Sequence, residues 1–459
     1  MQEQENISCC EQTKENQIIH GVIWKQLLIF FFPIVLGTFF QQIYNTADAI
    51  VVGRFVGTEA LAAVGGSTSQ IINLIVGFFV GLSSGATVVI SQYYGAKEKE
   101  GLQNALHTAF AFSVLGSIFI SVIGIVASPV LLRLMNTTPD VIEPSTAYLR
   151  IYFAGILFVF IYNVGSGILR AVGDSKRPLY YLIVCCIINI ILDIVFVVGF
   201  DMGVAGAAIA TVFAQGVSAV LVTAALCRST DIFRLTLKKI RIHKDALELL
   251  LKIGLPAGLQ SVMYSFSNII IQTSLNSFGT ETMAAWTAYG KIDSFFWMVI
   301  SAFGISITTF VGQNYGARKF GRMRKSVRIC IGMAMGASVA ISAVFLLFGK
   351  YVYQLFTTDA SVIEIGMHMM LLMAPAYAVY VFIEVYSGAL RGTGDVLVPM
   401  LMTCGGVCVL RVLWVWFIVP LKPIIDTILY SYPISWTLTA ILFIFYYRRK
   451  CRMIPDTDE

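Results

Sequence analysis

Apolar runs of roughly 18 to 25 residues recur from one end of this 459-residue chain to the other, each long enough to cross a hydrocarbon core about 30 Å thick at about 1.5 Å per residue. That feature leaves few folds open. Lipid offers no partner to backbone N–H and C=O groups, so a spanning segment is either a helix or a strand of a closed barrel. A barrel needs segments of about ten residues in strict apolar–polar alternation, and a run such as Ile71 to Ile90 does not alternate. The composition agrees: 57% of residues are hydrophobic, 13% are charged and the mean hydropathy is +0.79, whereas soluble domains carry about 25% charged residues. The reading is an all-α integral membrane protein of about twelve transmembrane helices.

The helices are placed at roughly 27–51, 62–90, 103–127, 147–168, 178–199, 204–227, 249–274, 284–311, 326–348, 366–389, 399–418 and 424–447, and the basic residues then divide unevenly between the two sides. Of 32 Lys and Arg, only Arg54, Arg133, Arg150, Lys350 and Lys422 fall in the loops opposite the termini, and Lys291 and Arg411 fall inside helices. By the positive-inside rule both termini are cytoplasmic, as an even number of spans requires. The net charge of +6 is thus a signal of topology, and nucleic acid is set aside as a partner. The first twenty-odd residues lack the basic start and cleavage site of a signal peptide, so the first apolar segment is expected to remain as a helix. The nine cysteines, Cys9 and Cys10 among them, show no disulfide framework, and with the scattered histidines they show no metal-ligand spacing. The domain reading is a cytoplasmic tail (1–24), a six-helix bundle (25–227), a basic linker expected to be an amphipathic surface segment (228–246), a second bundle (247–447) and a second tail (448–459).

Sliding the chain on itself by about 222 residues reveals a duplication. Phe55-Val-Gly-Thr-Glu59 recurs as Phe278-Gly-Thr-Glu281, and Gln92-Tyr-Tyr-Gly-Ala96 as Gln313-Asn-Tyr-Gly-Ala317. Ser166-Gly-Ile-Leu-Arg170-Ala-Val-Gly-Asp174 recurs as Ser387-Gly-Ala-Leu-Arg391-Gly-Thr-Gly-Asp395, with Pro178 and Pro399 at the same distance beyond. Pro33 and Asn45 meet Pro256 and Asn268. Because each half has an even number of spans, the two six-helix bundles share one orientation and are related by a pseudo-two-fold axis near the membrane normal. Such pairs leave a cleft between bundles, and rocking of one bundle against the other around a site near the midplane is their usual use.

These motifs, with Asp48 and Gly53 in the first helix and Asn189-Ile-Ile-Leu-Asp193 in the fifth, resemble those of the multidrug and toxic compound extrusion (MATE) family over about residues 21 to 450. The resemblance implies an exporter of amphipathic, cationic organic compounds, driven by protons or sodium.

Features present in both halves are expected to serve the shared scaffold, whereas polar residues found in one half are candidates for its chemistry. Arg170 with Asp174, and Arg391 with Asp395, fall in the first class and are expected to cap helices or anchor loops. Asp48 and Asp193 fall in the second, since Ile271 and Val415 stand opposite them. A charged Asp at the bilayer centre costs about 2.5 to 3.5 kcal/mol on insertion scales, which calls for a compensating role. Asn189 lies one turn from Asp193 on the same face, and Thr211 reaches a similar depth. Two carboxylates in one poorly solvated pocket repel, so one of them is expected to hold a proton; sodium, which suits carboxylate, amide and hydroxyl oxygens, would serve the same need. The family resemblance places Asp48, Asn189, Asp193 and Thr211 at its cation site.

The second half carries its own unduplicated charges, Lys291, Asp293, Glu384 and Arg411, as candidates for substrate contact or coupling beside Asn45 and Asn268. Here the chain departs from one branch of the family, in that Tyr264 replaces an acidic residue of the seventh helix, which puts a second cation site in doubt. Trp286, Phe295, Phe296 and Trp297 are expected to face lipid or the interface rather than a cationic drug. The resulting expectation is a monomeric antiporter in a bacterial inner membrane that takes a small organic substrate and needs no cofactor beyond its coupling ion. The alternative is a flippase for a lipid-linked or polar-headed lipid, which Lys291 and Arg411 facing the cleft would favour. A membrane enzyme ranks behind both, because no nucleophile–base pair or phosphate loop stands out.

Overall fold

The computed structural model describes residues 16–135, 137–453 and 455, and among them all regular secondary structure is helical. Cys9, Cys10, most of the first tail and the end of the second lie outside the described residues. Twelve spans follow in order: α1 (Ile23–Phe55), α2 (Thr58–Gly95), α3 (Lys99–Leu134), α4 (Pro139–Ala154 with Ile156–Ala171), α5 (Lys176–Gly199) and α6 (Gly203–Cys227) make the first six. The second six are α7 (Lys244–Asn276), α8 (Thr280–Gly316), α9 (Phe320–Gln354), α10 (Ala360–Gly392), α11 (Leu397–Leu421) and α12 (Ile425–Met453). Eleven can cross a membrane alone, and α4 is a pair of helices meeting at 49°. Its break falls at Gly155, where a Cβ would stand 2.3 Å from the Val212 side chain of α6. The helices outrun the apolar runs that announce them. The 37 residues of α8 span about 55 Å, because its polar ends continue the helix past the hydrocarbon.

The duplicated loops are duplicated turns. Gly57 and Gly279, which precede α2 and α8, have φ of 125° and 97°; Gly173 and Gly394, after α4 and α10, have 96° and 88°; Lys97 and Arg318 have 56° and 57°. Only the glycines enter that region without steric cost, which explains why glycine stands in both copies of each motif. Asp174 then caps the start of α5, accepting the N–H groups of Lys176 and Arg177 at 3.1 Å each. Asp395 instead pairs with Lys450 at 3.0 Å and accepts the Tyr446 hydroxyl at 2.7 Å. Asp174 thus caps a helix and Asp395 anchors its loop to α12, as expected of them, and among the described residues neither pairs with the arginine of its own motif.

Both described ends lie on one side, held by the start of α9: Arg322 donates to the Ile18 carbonyl at 2.9 Å and Arg324 to that of Cys451 at 2.9 Å. On this side the two bundles close against each other. Glycines spaced four apart on α2 (Gly81, Gly85) and α7 (Gly254, Gly258) bring the backbones together; a Cβ on Gly85 would stand 2.4 Å from Leu250 O, and one on Gly254 2.4 Å from Leu82 O. Small residues at helical spacing permit such approach in membranes, where packing and not hydrophobicity drives association. Nearer the termini α2 crosses α8, and Gly95 and Gly316 each face the other helix so closely that a Cβ would lie 2.0 Å from Gln313 O and Gln92 O respectively.

Two reciprocal hydrogen bonds lock that crossing. Gln92 of the first half donates to Gly392 O of the second at 2.8 Å, and Gln313 of the second donates to Ala171 O of the first at 2.6 Å. Toward the far side the bundles part. Phe31 stacks on Phe303 at 4.2 Å, but farther along α1 Phe39, Thr46 and Ile50 face Ser294, Phe295 and Met298 of α8 across a groove of about 340 Å³. The chain is therefore closed on the side of its termini and open on the other.

The linker lies on the surface with Phe233 and Leu235 buried beneath it and Arg234, Lys238, Lys239 and Arg241 exposed. It runs as an irregular strap with a single 3-10 turn, Leu237–Lys239, tied down by buried Phe233 and Leu235 and by backbone N–H groups of Thr236 and His243 donating to His107 Nε2 and Thr108 Oγ1 of α3.

Candidate functional site

Three helices of the first bundle, α1, α5 and α6, pack side by side and bring Asp48, Asn189, Asp193 and Thr211 into one pocket. Asp48 lies two turns before the far end of α1. Its Oδ2 accepts the Thr211 hydroxyl at 3.2 Å, and the Asn189 amide stands 3.5 Å from the same hydroxyl. All four are buried, Asp193 at 0% exposure and Asn189 at 1%. What distinguishes the pocket is what its oxygens lack: Asp48 Oδ1, Asn189 Oδ1 and both carboxylate oxygens of Asp193 are buried without a hydrogen-bond partner among the described residues. Buried polar atoms are rarely left so, and an unpaired buried carboxylate is among the costliest groups a protein can carry. The set is rich in acceptors and poor in donors, which is what a proton or a hard monovalent cation would satisfy.

Local structure sets up this arrangement. Directly after Asp193 the α-helix widens into a π-helical stretch, Ile194–Gly199, and such stretches recur at functional sites because they re-aim side chains out of the regular ladder. Buried tyrosines close the pocket: Tyr148 of α4 borders both aspartates, and Tyr44, one turn from Asp48, accepts from Gln215 Nε2 at 3.3 Å. Sequence reasoning missed Tyr44, Tyr148 and Gln215. Tyr44 and Gln215 each lie four residues from a pocket residue already singled out, and that spacing could have found them.

The second-half candidates make no matching acceptor pocket; Asp293, Tyr264, Glu384 and Arg411 instead lie within electrostatic reach of one another in a network threaded by tyrosines. Asp293 accepts from the Tyr377 hydroxyl and from Trp297 Nε1 at 2.5 Å, and Tyr289 bonds Tyr377 behind it. Tyr264 bonds Tyr380 at 3.2 Å. Arg411 is buried at 3% exposure, donates to Ser435 Oγ at 2.9 Å and lies 3.9 Å from the Tyr432 ring centroid. Its guanidinium thus packs against α12 of its own bundle. Phe296 is fully buried against Tyr377, and Trp286 and Trp297 pack in the same aromatic core, whereas Phe295 is exposed. Lys291, Asn45 and Asn268 are exposed, and Glu384 is half-buried on α10.

A closed seam on one side, an open cleft on the other and a buried acceptor pocket in one of two homologous bundles define a polytopic membrane transporter. The sequence model of the MatE family matches residues 33–195 and again 256–417, one match in each half. This chain belongs to the MatE family, whose members are membrane transporters and not enzymes. It is 30% identical over 389 residues to the probable multidrug resistance protein YoeA of Bacillus subtilis, covering 83% of this chain and 84% of that one. It is 24% identical to the multidrug export protein MepA of Staphylococcus aureus, over 95% of this chain and 96% of that one. Its fold matches that of a MOP superfamily transporter from Pyrococcus furiosus with a TM-score of 0.90 at 24% identity, covering 97% of this chain and 99% of the other. A multidrug resistance MATE transporter in an outward-facing conformation matches equally, with a TM-score of 0.90 over 97% of this chain and 99% of that one.

Proposed function

We propose that the chain is a cation-coupled antiporter that exports amphipathic, cationic organic compounds across a bacterial inner membrane by alternating access. The observation that carries this reading is the cluster of bare oxygens at Asp48, Asn189 and Asp193. In this reading both termini are cytoplasmic, the bundles spanning 25–227 and 247–447 are the moving bodies, the linker 228–246 joins them and the protein works as a monomer among lipids. The multidrug names of the relatives YoeA and MepA support the substrate class.

A proton or sodium ion entering from the open side neutralises the Asp48–Asp193 pair and relaxes the repulsion between α1 and α5, which changes how α1 packs on its neighbours. A ligand shifts two states only by its differential affinity for them, so cation and substrate must prefer different ones. Each net charge falling through 100 mV supplies about 2.3 kcal/mol, so a cationic substrate exchanged for one ion draws on the ion's concentration gradient alone, and exchange for two ions draws on the potential as well. The alternative, a flippase for a lipid-linked or polar-headed lipid, would need Lys291 and Arg411 at the cleft, and the stacking of Arg411 on Tyr432 of its own bundle favours the drug-export reading. The test is transport in proteoliposomes under separate proton and sodium gradients with a panel of organic cations. Asp48→Asn should abolish substrate-driven cation flux with the fold intact; flux at the wild-type rate would remove Asp48 from the mechanism.

A further inference from the structure

Just inside the glutamine lock lies a chamber of about 240 Å³ between the bundles, lined by Thr87, Asn163 and Arg170 of the first half, by Thr308 and Arg391 of the second and by Gln260 of α7. The lining follows the repeat. Thr87 and Thr308 stand in register 221 residues apart, as do Arg170 and Arg391, and each threonine packs on the corresponding glycine, Gly167 or Gly388. In the same register Asn163 meets Glu384, two turns before the arginine in each half and on the arginine's face of the helix.

That substitution changes the charge balance. Arg391 lies in the field of the Glu384 carboxylate and makes a long contact of 3.5 Å with Ser387 Oγ. Among the described residues Arg170 has neither a carboxylate within ion-pair distance nor a side-chain hydrogen bond, with buried Tyr162 as its electrostatic neighbour; Asp174, which its motif places nearby, is taken by Arg177 at 3.1 Å. A guanidinium stays charged under all physiological conditions, and one facing a chamber between packed helices calls for an anion. Its planar fork of donors matches a carboxylate or phosphoryl group, and Gln260 and the threonines add neutral polar groups around it.

We infer that this chamber is a binding site for a small oxyanion held by Arg170, whose half carries Asn163 in the register where the second half has the Glu384 carboxylate. The site is separate from the Asp48 pocket and does not rest on the cation reading. It also removes an obstacle to that reading, because a bound anion cancels the charge a cationic substrate would otherwise meet at the inner end of its path.

The occupant is either a free inorganic anion or the carboxylate of an organic molecule. Equilibrium binding of radiolabelled phosphate and of radiolabelled benzoate to the purified full-length protein in detergent distinguishes them: phosphate retained identifies the first source, benzoate alone the second. Asn163→Glu, which installs the second half's carboxylate in the first, and Arg170→Gln should each weaken binding at least tenfold. Glu384→Gln should leave it unchanged or tighten it. Thermal unfolding of each variant guards against misfolding, and Arg170→Lys, which keeps the charge, should retain binding better than Arg170→Gln. Absence of saturable binding of either probe, or wild-type affinity in Asn163→Glu, would overturn the proposal. Loss of cation-coupled flux in Asp48→Asn with anion binding intact would keep the two sites distinct.

Discussion

In the first bundle Asp48 and Asp193 share a pocket with four bare oxygens, whereas Ile271 and Val415 stand at the matching places of the second, buried at 1% and 8% exposure. The same scaffold position takes a buried aliphatic side chain in the second half, so the fold does not require a carboxylate at either place. The second bundle also buries charge, but its carboxylate is met by donors: the Tyr377 hydroxyl and the Trp297 N–H both reach Asp293, while Arg411 has one hydroxyl and the faces of two rings and keeps one buried nitrogen without a partner among the described residues. The carboxylate of the second bundle has its hydrogen bonds made, whereas those of the first keep open acceptors.

This contrast can be broken by experiment. The largest effect should come from Asp48→Asn, which should abolish substrate-driven cation flux; Asp293→Asn, measured in the same vesicles, should retain most of it. Equal losses in both would end the distinction between the halves. Next in size are Gly95→Ala and Gly316→Ala. Each added Cβ would lie 2.0 Å from backbone of the opposing helix, so both should prevent closure at the termini and slow transport alike, with distance measurements between spin labels on α2 and α8 showing the two sides apart. Asp293→Ala strands the Tyr377 hydroxyl and the Trp297 N–H in a buried core and should cost about 1 to 3 kcal/mol, seen as a lower unfolding temperature without a change of coupling. The smallest effects belong to Gln92→Ala and Gln313→Ala, each removing a hydrogen bond worth about 1 kcal/mol and shifting the closed state by about fivefold. The second should exceed the first, because Gln313 also accepts from Asn16 at 2.9 Å.

Which features were legible in the sequence follows from the range of the forces involved. Apolar runs and glycine-bearing turns are local, so the twelve spans and the duplication could be read directly. The pocket was reachable because Asp48 and Asp193 break the repeat and Asn189 falls one turn from Asp193, although the adjacency of α1, α5 and α6 is a matter of packing. The pairing of the two halves was not legible. Nothing in Gln92 or Gln313 indicates that its partner is a carbonyl about 300 or 140 residues away, and the arginines of the duplicated motif look like partners of the aspartates beside them until the fold sends them elsewhere. Gly81 with Gly85 and Gly254 with Gly258 did carry a readable small-residue spacing, but in a chain with 38 glycines that spacing stands out only when the opposing helix is known.

The glutamine lock also bears on ancestry. Gln92 reaches the residue after Arg391, and Gln313 reaches the residue after Arg170, so one inherited side chain meets one inherited carbonyl twice, in the i-to-j and j-to-i manner of an isologous dimer interface. A six-helix precursor paired in parallel with a second copy of itself would form both bonds from a single glutamine, with no new residue required at the seam. Fusion of the two copies then freed each half to change alone, which is how Asp48 and Glu384 could come to stand without counterparts.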